Sequence, residues 1–406
     1  MKLLFSAEPY GYGPAAKAVA IARTLHAQGH SISFVGSGTA LHFAQGAADT
    51  FDTCLDEHLV DYSGLLQLNF NAAVSVMEPS LTVAAHAVGL PSVYVDSLYW
   101  MWNWADNDSQ RLRAVVEHIA QLPVDSALEA LATEDMHDGQ FVAHRLATRL
   151  LVQRSFESNQ SGLRSLMTPT MIGPVVEKCP TSEPYKGPIV ASISGMLSSL
   201  VDMHLALPWA QAVVDLLHDA YLNSNLTCGI IVQGNPAVLS NLRSPASSHF
   251  QISPAADHVE AMERLANAPI SLAPPGITSI LEAWQHSVPF VALPAQHYAH
   301  GEIFERVSGG DTVAFPGMSD SRLASARSNR TDETRDVLNL SVRRLTGESR
   351  TVEVARLSEI LTSVGRSPRL WAEAQGKILS RAFGTSDGTA EAADVILSVG
   401  CDAARV

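Results

Sequence analysis

Between Ala268 and Phe304 the chain reads APISLAPPGITSILEAWQHSVPFVALPAQHYAHGEIF, and the residues in it with chemical reach are Gly276, Thr278, Ser279, Glu282 and Gln296. An apolar run ends at Leu272 and Ala273, Pro274-Pro275-Gly276 makes a turn, and Thr278 to Gln285 has helical spacing, with Glu282 one turn beyond Thr278 and Ser279. A loop that leaves a strand and opens a helix presents backbone N–H groups with no partner in the first turn, a place where an anion binds. A second group lies at Asp96-Ser97-Leu98-Tyr99-Trp100-Met101-Trp102-Asn103-Trp104, which holds three of the six tryptophans. It follows the apolar run Ser92 to Val95, and the carboxyl ends of parallel strands are where open α/β sheets place ligands. Trp100, Trp102 and Trp104 read either as an aromatic wall for a small molecule or as core or oligomer packing. Glu8 and Gly11-Tyr12-Gly13-Pro14 stand at the end of the first apolar run, where the glycines fit a phosphate loop and a tight turn about equally well.

The elements that must position these residues alternate. Lys2 to Ala7 is a strand, Ala15 to Ala27 a helix that Gly29 closes, and Ser31 to Val35 a second strand. Ala72 to Met77 and Ser92 to Val95 are further strands, with a helix from Leu81 to Val88 between them. The stretch Asp49 to Gln67, with Asp52, Asp56, Glu57, His58, Asp61 and Tyr62, reads as a solvated surface. Gln110 to His144 is amphipathic helix; His137 and His144 share a face there, without an evident third metal ligand. A polar, proline-containing stretch from Glu177 to Pro188 marks a domain boundary.

Beyond it the alternation resumes. Ile189 to Ile193 and Cys228 to Val232 are strands, and Pro208 to Leu217 and Val259 to Leu265 are helices. Val288 to Pro294 is a buried strand, Thr312 to Phe315 one more, and Arg322 onward is helical. The fold class is therefore α/β, with two Rossmann-like domains of parallel strands facing a central cleft. They span 1–180 and 187–365, and terminal helices in 366–406 are available to pack back on the first domain.

Composition limits the function classes. The chain has 406 residues, 46% of them hydrophobic, enough for two domains with their own cores. With 41 acidic against 27 basic residues, a formal charge of -14, a general nucleic-acid surface and a polybasic membrane anchor are both disfavoured. Cys54, Cys179, Cys228 and Cys401 form no CxxC pair and no disulfide framework. The apolar start Met1 to Phe5 is too short for a signal peptide, and no stretch approaches the roughly 20 apolar residues of a transmembrane helix, so a cytoplasmic location is expected.

Two stretches resemble glycosyltransferases of the two-Rossmann-domain GT-B type, in the style of the antibiotic and macrolide glycosyltransferases and the MurG-like group. Gly13-Pro14-Ala15-Ala16-Lys17 through Leu25-His26-Ala27-Gln28-Gly29-His30 is similar to the family's N-terminal glycine loop and helix. Pro275-Gly276-Ile277-Thr278-Ser279-Ile280-Leu281-Glu282-Ala283, followed by Ser287-Val288-Pro289, is similar to its donor-binding turn. The resemblance implies that Gly276 and the amides near Thr278 and Ser279 cradle a diphosphate, that Glu282 accepts hydrogen bonds from ribose hydroxyls, and that Gln296, ahead of His297 and His300, contacts the donor sugar. Gly195, after the first strand of the second domain, is a further phosphate-approaching residue.

The chain departs from the pattern at three places. Pro14 stands where the family has a histidine, and Pro275 and Ser287 stand where it has glycines. A proline transfers no proton, and at Pro275 it removes one amide from the cradle. Lys17, protonated near neutrality at an ordinary pKa, supplies positive charge to a substrate or phosphate rather than a base. Asp96 is then the leading acceptor base, with Glu8 and His58 as alternatives, while Gly13, Lys17, Trp100, Trp102 and Trp104 are assigned to substrate binding.

The resulting expectation is a glycosyltransferase that moves a sugar from a nucleotide-diphosphate sugar to a small-molecule acceptor such as a natural product, with no redox cofactor and, for want of paired carboxylates at a donor loop, no obligatory metal. A nucleotide-sugar epimerase or hydrolase and a non-catalytic nucleotide-sugar-binding auxiliary protein are the alternatives. A homodimer or an auxiliary partner is left open.

Overall fold

The computed structural model describes residues 1–102, 104, 108–156, 163, 166–178, 184–255, 257–309, 314–318 and 330–403. The chain divides into two compact units: unit 1 holds Met1–Pro9, Pro14–Val176 and Ala382–Val406, and unit 2 holds Tyr10–Gly13 and Glu177–Arg381.

Unit 1 contains β1 (Lys2–Ala7), α1 (Gly13–Ala27), β2 (Ser31–Gly36), α2 (Gly38–Gly46), β3 (Thr53–Asp56), α3 (Tyr62–Leu66), β4 (Ala72–Val76), α4 (Pro79–Ala87), β5 (Ser92–Asp96), α5 (Ser109–Ile119), α6 (Val124–Ala132), α7 (Met136–Leu146), β6 (Arg149–Gln153) and β7 (Thr170–Ile172). Its strands form one parallel sheet in the order β3-β2-β1-β4-β5-β6-β7. The period-two alternation of β1 sorts its side chains: Leu3 and Phe5 pack with α1 residues Ala18, Val19 and Ala22, while Leu4 packs with Leu81, Ala84 and Ala85 of α4. Continuous apolar strands are thus the expected sign of a sheet covered on both faces.

Unit 2 contains β8 (Ile189–Ser192), α8 (Met203–Leu222), β9 (Ile230–Gln233), α9 (Pro236–Leu239), β10 (Phe250–Ile252), α10 (His258–Asn267), β11 (Ser271–Ala273), α11 (Ile277–Gln285), β12 (Phe290–Ala292), α12 (Tyr298–Ser308), α13 (Arg330–Thr346), α14 (Arg350–Arg366) and most of α15 (Pro368–Phe383). The parallel order is β10-β9-β8-β11-β12. Ile189, Ala191 and Ile193 face a core built with Trp209, Val213 and Leu217 of α8 and Leu357 and Leu361 of α14, and Val190 faces Met262 and Leu265 of α10.

The last helix, α16 (Gly388–Ala403), belongs to unit 1, where Ala392, Ala393 and Ile396 join the core of β1 and β4. Its close approach depends on Gly388: a Cβ there would stand 1.9 Å from the Gly173 carbonyl oxygen. Glu391 accepts a hydrogen bond from the Gly173 amide at 2.7 Å, and the Thr389 hydroxyl donates to Val176 O at 3.1 Å.

Several boundaries differ from the sequence expectation for local reasons. The helix expected from Pro208 starts at Met203, because Asp202 caps it through the Leu205 amide at 3.0 Å and Pro208 lies inside. Of the strand expected over Thr312–Phe315, residues 312 and 313 lie outside the described residues; Phe315 is buried, and the pairing with Ala292 is an isolated bridge at Gly317. The expected start of the helix at Arg322 also lies outside them; α13 is described from Arg330. Among the described residues, no helix is long and apolar enough to cross a membrane.

Candidate functional site

Each sheet reverses its strand order once, between β1 and β4 in unit 1 and between β8 and β11 in unit 2. In open parallel sheets the crevice beyond the strand carboxyl ends forms at such a reversal. Several sequence-predicted residues stand at these positions: Glu8 follows β1, with Asp96 at the end of β5, one strand beyond β4, while Gly195 follows β8 and Gly276 follows β11.

In unit 2, Gly276 is the N-cap residue of α11, and Thr278 and Ser279 occupy its first turn, both half-buried. The Gly276 amide donates to Pro274 O at 2.7 Å. The loop after β8 is tightly specified. Ser194 and Met196, on either side of Gly195, adopt left-handed backbone with φ of 61° and 57°, a conformation that non-glycine residues keep only when their surroundings impose it. Asn235 imposes it here: its amide donates to Ser194 O and its side-chain Nδ2 donates to Gly195 O, each at 3.0 Å.

Gln296, 6% exposed, donates from Nε2 to Ile193 O at 2.7 Å and so ties the loop after β12 to the end of β8. The Gln296 amide donates to His300 Nδ1 at 3.2 Å, which makes Nδ1 the acceptor and leaves the ring proton of the neutral imidazole on Nε2. A Cβ added to Gly276 would lie 3.5 Å from that Nε2. Burial pushes the His300 pKa down to about 4, so the ring is a neutral N–H donor at the mouth of α11. The sequence ranked His300 below Gln296; its place is set by the loop after β12, which no local spacing reveals. His297 caps α12, with Nδ1 accepting from the Ala299 amide at 3.2 Å.

Glu282 is 9% exposed, far from the exposed helix position its sequence context alone suggests. Its Oε1 lies 3.8 Å from His258 Nε2, and the same nitrogen lies 3.3 Å from Glu177 Oε2.

In unit 1, three carboxylates meet at the strand ends. Burial, reinforced by the charges of Glu78 and Asp96, holds the Glu8 carboxyl well above the usual range. Burial lifts Glu78 to about 7, against the opposing effect of its hydrogen bond from the Ser80 amide at 2.7 Å. Glu78 was not among the sequence candidates. It follows Met77, a non-glycine residue at φ 59° whose amide donates to Val95 O at 3.0 Å and whose carbonyl accepts from Gln140 Nε2 at 2.9 Å.

Asp96 is fully buried. Its Oδ1 accepts from the Leu98 amide at 2.6 Å, its Oδ2 accepts from Trp102 Nε1 at 2.7 Å, and His144 Nε2 lies 2.9 Å from Oδ2. His144 is boxed by the rings of Tyr94, Tyr99 and Trp104 at 5.4, 5.6 and 5.6 Å. Of the two sequence readings of the tryptophan cluster, the structure shows core packing. Trp100, Trp102 and Trp104 are each at most 6% exposed; Trp104 donates to His137 O at 3.0 Å, and Trp100 meets Phe156 edge-on. The indole N–H groups of Trp102 and Trp104 are engaged by buried acceptors, which turns those rings inward.

The remaining candidates are dispersed. Lys17 is 1% exposed and donates from Nζ to Val175 O at 3.2 Å, so its charge lies within the packing of unit 1. Gly13 starts α1 and is half-buried. His58 is exposed beyond β3, the edge strand, away from the order reversal, with its amide donating to Asp56 Oδ1 at 3.0 Å.

His137 and His144 do not share a ligand. His137 instead sits with Asp135 and Asp138, whose ligand atoms and its own lie within 4.8 Å of one another. Asp135 caps α7, and Asp138 pairs with Arg111 at 2.5 Å, so both carboxylates already have structural roles.

No family model matches the chain, and a search of curated proteins finds no match. Solved structures do match in fold. The glycotransferase of kitacinnamycin aligns at 16% identity and TM-score 0.50, with 98% of each chain covered. UGT89C1 of Arabidopsis thaliana complexed with quercetin aligns at 11% identity and TM-score 0.56, covering 98% of this chain and 99% of that one. The same plant protein complexed with UDP gives 10% identity and TM-score 0.55, over 99% and 100% of the two chains. With its two parallel, singly reversed sheets, the chain has the GT-B-like fold of these glycosyltransferases.

Proposed function

We propose that the protein is a cytoplasmic glycosyltransferase that takes a sugar from a nucleotide-diphosphate donor and passes it to a hydroxyl of a small-molecule acceptor such as a natural product. One observation supports this reading above the others: Gly195, Gly276, Thr278, Ser279, Glu282 and Gln296, chosen from sequence, gather around the single order reversal of the unit 2 sheet. In this reading the first-turn amides of α11 and the Nε2–H of His300 hold the diphosphate, offsetting the amide that Pro275 lacks. Glu282 takes the ribose hydroxyls, and Gln296 shapes the sugar end.

Unit 1 supplies the acceptor base. Glu8 suits this role better than the fully buried Asp96, because it keeps a small exposed surface and burial raises its affinity for a proton. Fixed hydrogen-bond donors around the departing diphosphate stabilise the charge that develops there.

The test combines binding and turnover. Glu282→Gln should raise the Kd for UDP or dTDP about tenfold, as expected for loss of a charge-assisted hydrogen bond. Glu8→Gln should lower kcat by about a hundredfold or more with Kd unchanged. Mass spectrometry of reactions with a panel of nucleotide sugars and acceptors distinguishes glycosylated product from free or isomerised sugar; free or isomerised sugar alone would replace transfer with hydrolysis or epimerisation.

A further inference from the structure

His258 is the first residue of α10, directly after Asp257, whose Oδ1 accepts from the Glu260 amide at 2.8 Å and so fixes the helix start. From there the imidazole reaches two carboxylates that sequence distance separates widely. Nε2 lies 3.3 Å from Glu177 Oε2 and 3.8 Å from Glu282 Oε1, and the three side chains are only 9%, 11% and 12% exposed. We infer that His258 is a positioning residue for the donor ribose: it holds the Glu282 carboxylate in the orientation that receives the ribose hydroxyls, and Glu177 in turn holds His258. The inference rests on the donor reading of unit 2 given above.

The physical argument has two parts. A glutamate side chain has three rotatable bonds and spreads over many rotamers unless a neighbour restricts it, so an acceptor that must meet the sugar hydroxyls of the nucleoside gains from being fixed before the ligand arrives. The second part is charge. Glu177 and Glu282 converge on one nitrogen in a poorly hydrated place, where two like charges disfavour each other. When protonated, the His258 ring between them offsets that repulsion. Without it Glu282 either swings away or takes a proton, and a protonated carboxyl has one acceptor oxygen fewer for the ribose.

The test is calorimetric titration of the full chain with UDP or dTDP, whichever the wild type binds more tightly, and with the counterpart that lacks ribose hydroxyls. His258→Asn should raise the Kd of the hydroxylated nucleotide about tenfold and leave that of the dideoxy counterpart unchanged. His258→Lys, which restores a cation, should recover most of the loss; it also serves as the readout should the Asn variant fold poorly. The double variant His258→Asn with Glu282→Gln should bind no more weakly than Glu282→Gln alone. Equal losses for the two nucleotides, or additive losses in the double variant, would overturn the inference while leaving the donor site standing. A wild-type chain that binds neither UDP nor dTDP overturns the donor reading and this inference together.

Discussion

Asp96→Asn probes the most constrained polar group in unit 1. Both carboxylate oxygens face N–H donors: the Leu98 amide on Oδ1, and Trp102 Nε1 on Oδ2. His144 Nε2 lies 2.9 Å from Oδ2 but out of line for a hydrogen bond. Asparagine therefore has no satisfactory orientation. With its NH2 in place of Oδ2 it confronts Trp102 Nε1, and with its NH2 in place of Oδ1 it confronts the Leu98 amide. Leaving one buried donor unpaired and replacing a charge-assisted hydrogen bond by a neutral one should cost about 2–4 kcal/mol.

With an m-value of about 3 kcal/mol/M, that loss moves the urea midpoint down by roughly 1 M. The tryptophans that pack around Asp96 provide the fluorescence signal. Nucleotide binding by unit 2, measured on the same preparation below the transition, should be unchanged. A loss under about 0.5 kcal/mol, the range of an ordinary surface substitution, would refute the role of these two donors.

Three further outcomes are expected. Glu78 titrates at about 7 in the folded chain against an ordinary value of 4.5, so the folded state holds the extra proton and stability falls as pH rises between those values. The full shift corresponds to about 3 kcal/mol, which the partial solvent contact of Glu78 reduces to roughly 1–2. Glu78→Gln, which keeps an acceptor for the Ser80 amide, should flatten that part of the urea-derived stability profile between pH 5 and 8; an unchanged slope would contradict the assignment. Gly388→Ala places a methyl group against the Gly173 carbonyl and should destabilise by about 1–3 kcal/mol, read in the same melts. Because burial keeps His300 neutral above about pH 4, nucleotide binding should show no titration of this residue between pH 6 and 8, whereas His300→Ala should weaken binding of UDP or dTDP about tenfold in calorimetry.

What could be read from the sequence was what local pattern encodes. Apolar runs marked β1, β2, β4, β5 and β8 because each is covered on both faces, and Gly29, at φ 85°, closes α1 as expected. Gly276 and Glu282 fell on the N-cap and second turn of one helix because their spacing along the chain is also their spacing in space. The hidden part was long-range. His144 meets Asp96, and His258 meets Glu177 and Glu282, through the stacking of separate β–α units, and no periodicity records such meetings. The tryptophans were ambiguous for a related reason: an indole looks the same in sequence whether its N–H faces a ligand or a buried carboxylate.

Unit 1 is built from separated segments: its sheet is complete by Ile172, yet Ala392, Ala393 and Ile396 of α16, which packs over β4 to β7, come only after unit 2. During synthesis from the N-terminus the first sheet must wait, with part of its apolar face uncovered, until the final helix emerges. Unit 2, whose main segment is continuous, can close first. Emergence of α16, rather than completion of the first sheet, is then the event that lets unit 1 close, and a chain stopped at Arg381 would carry an exposed apolar face.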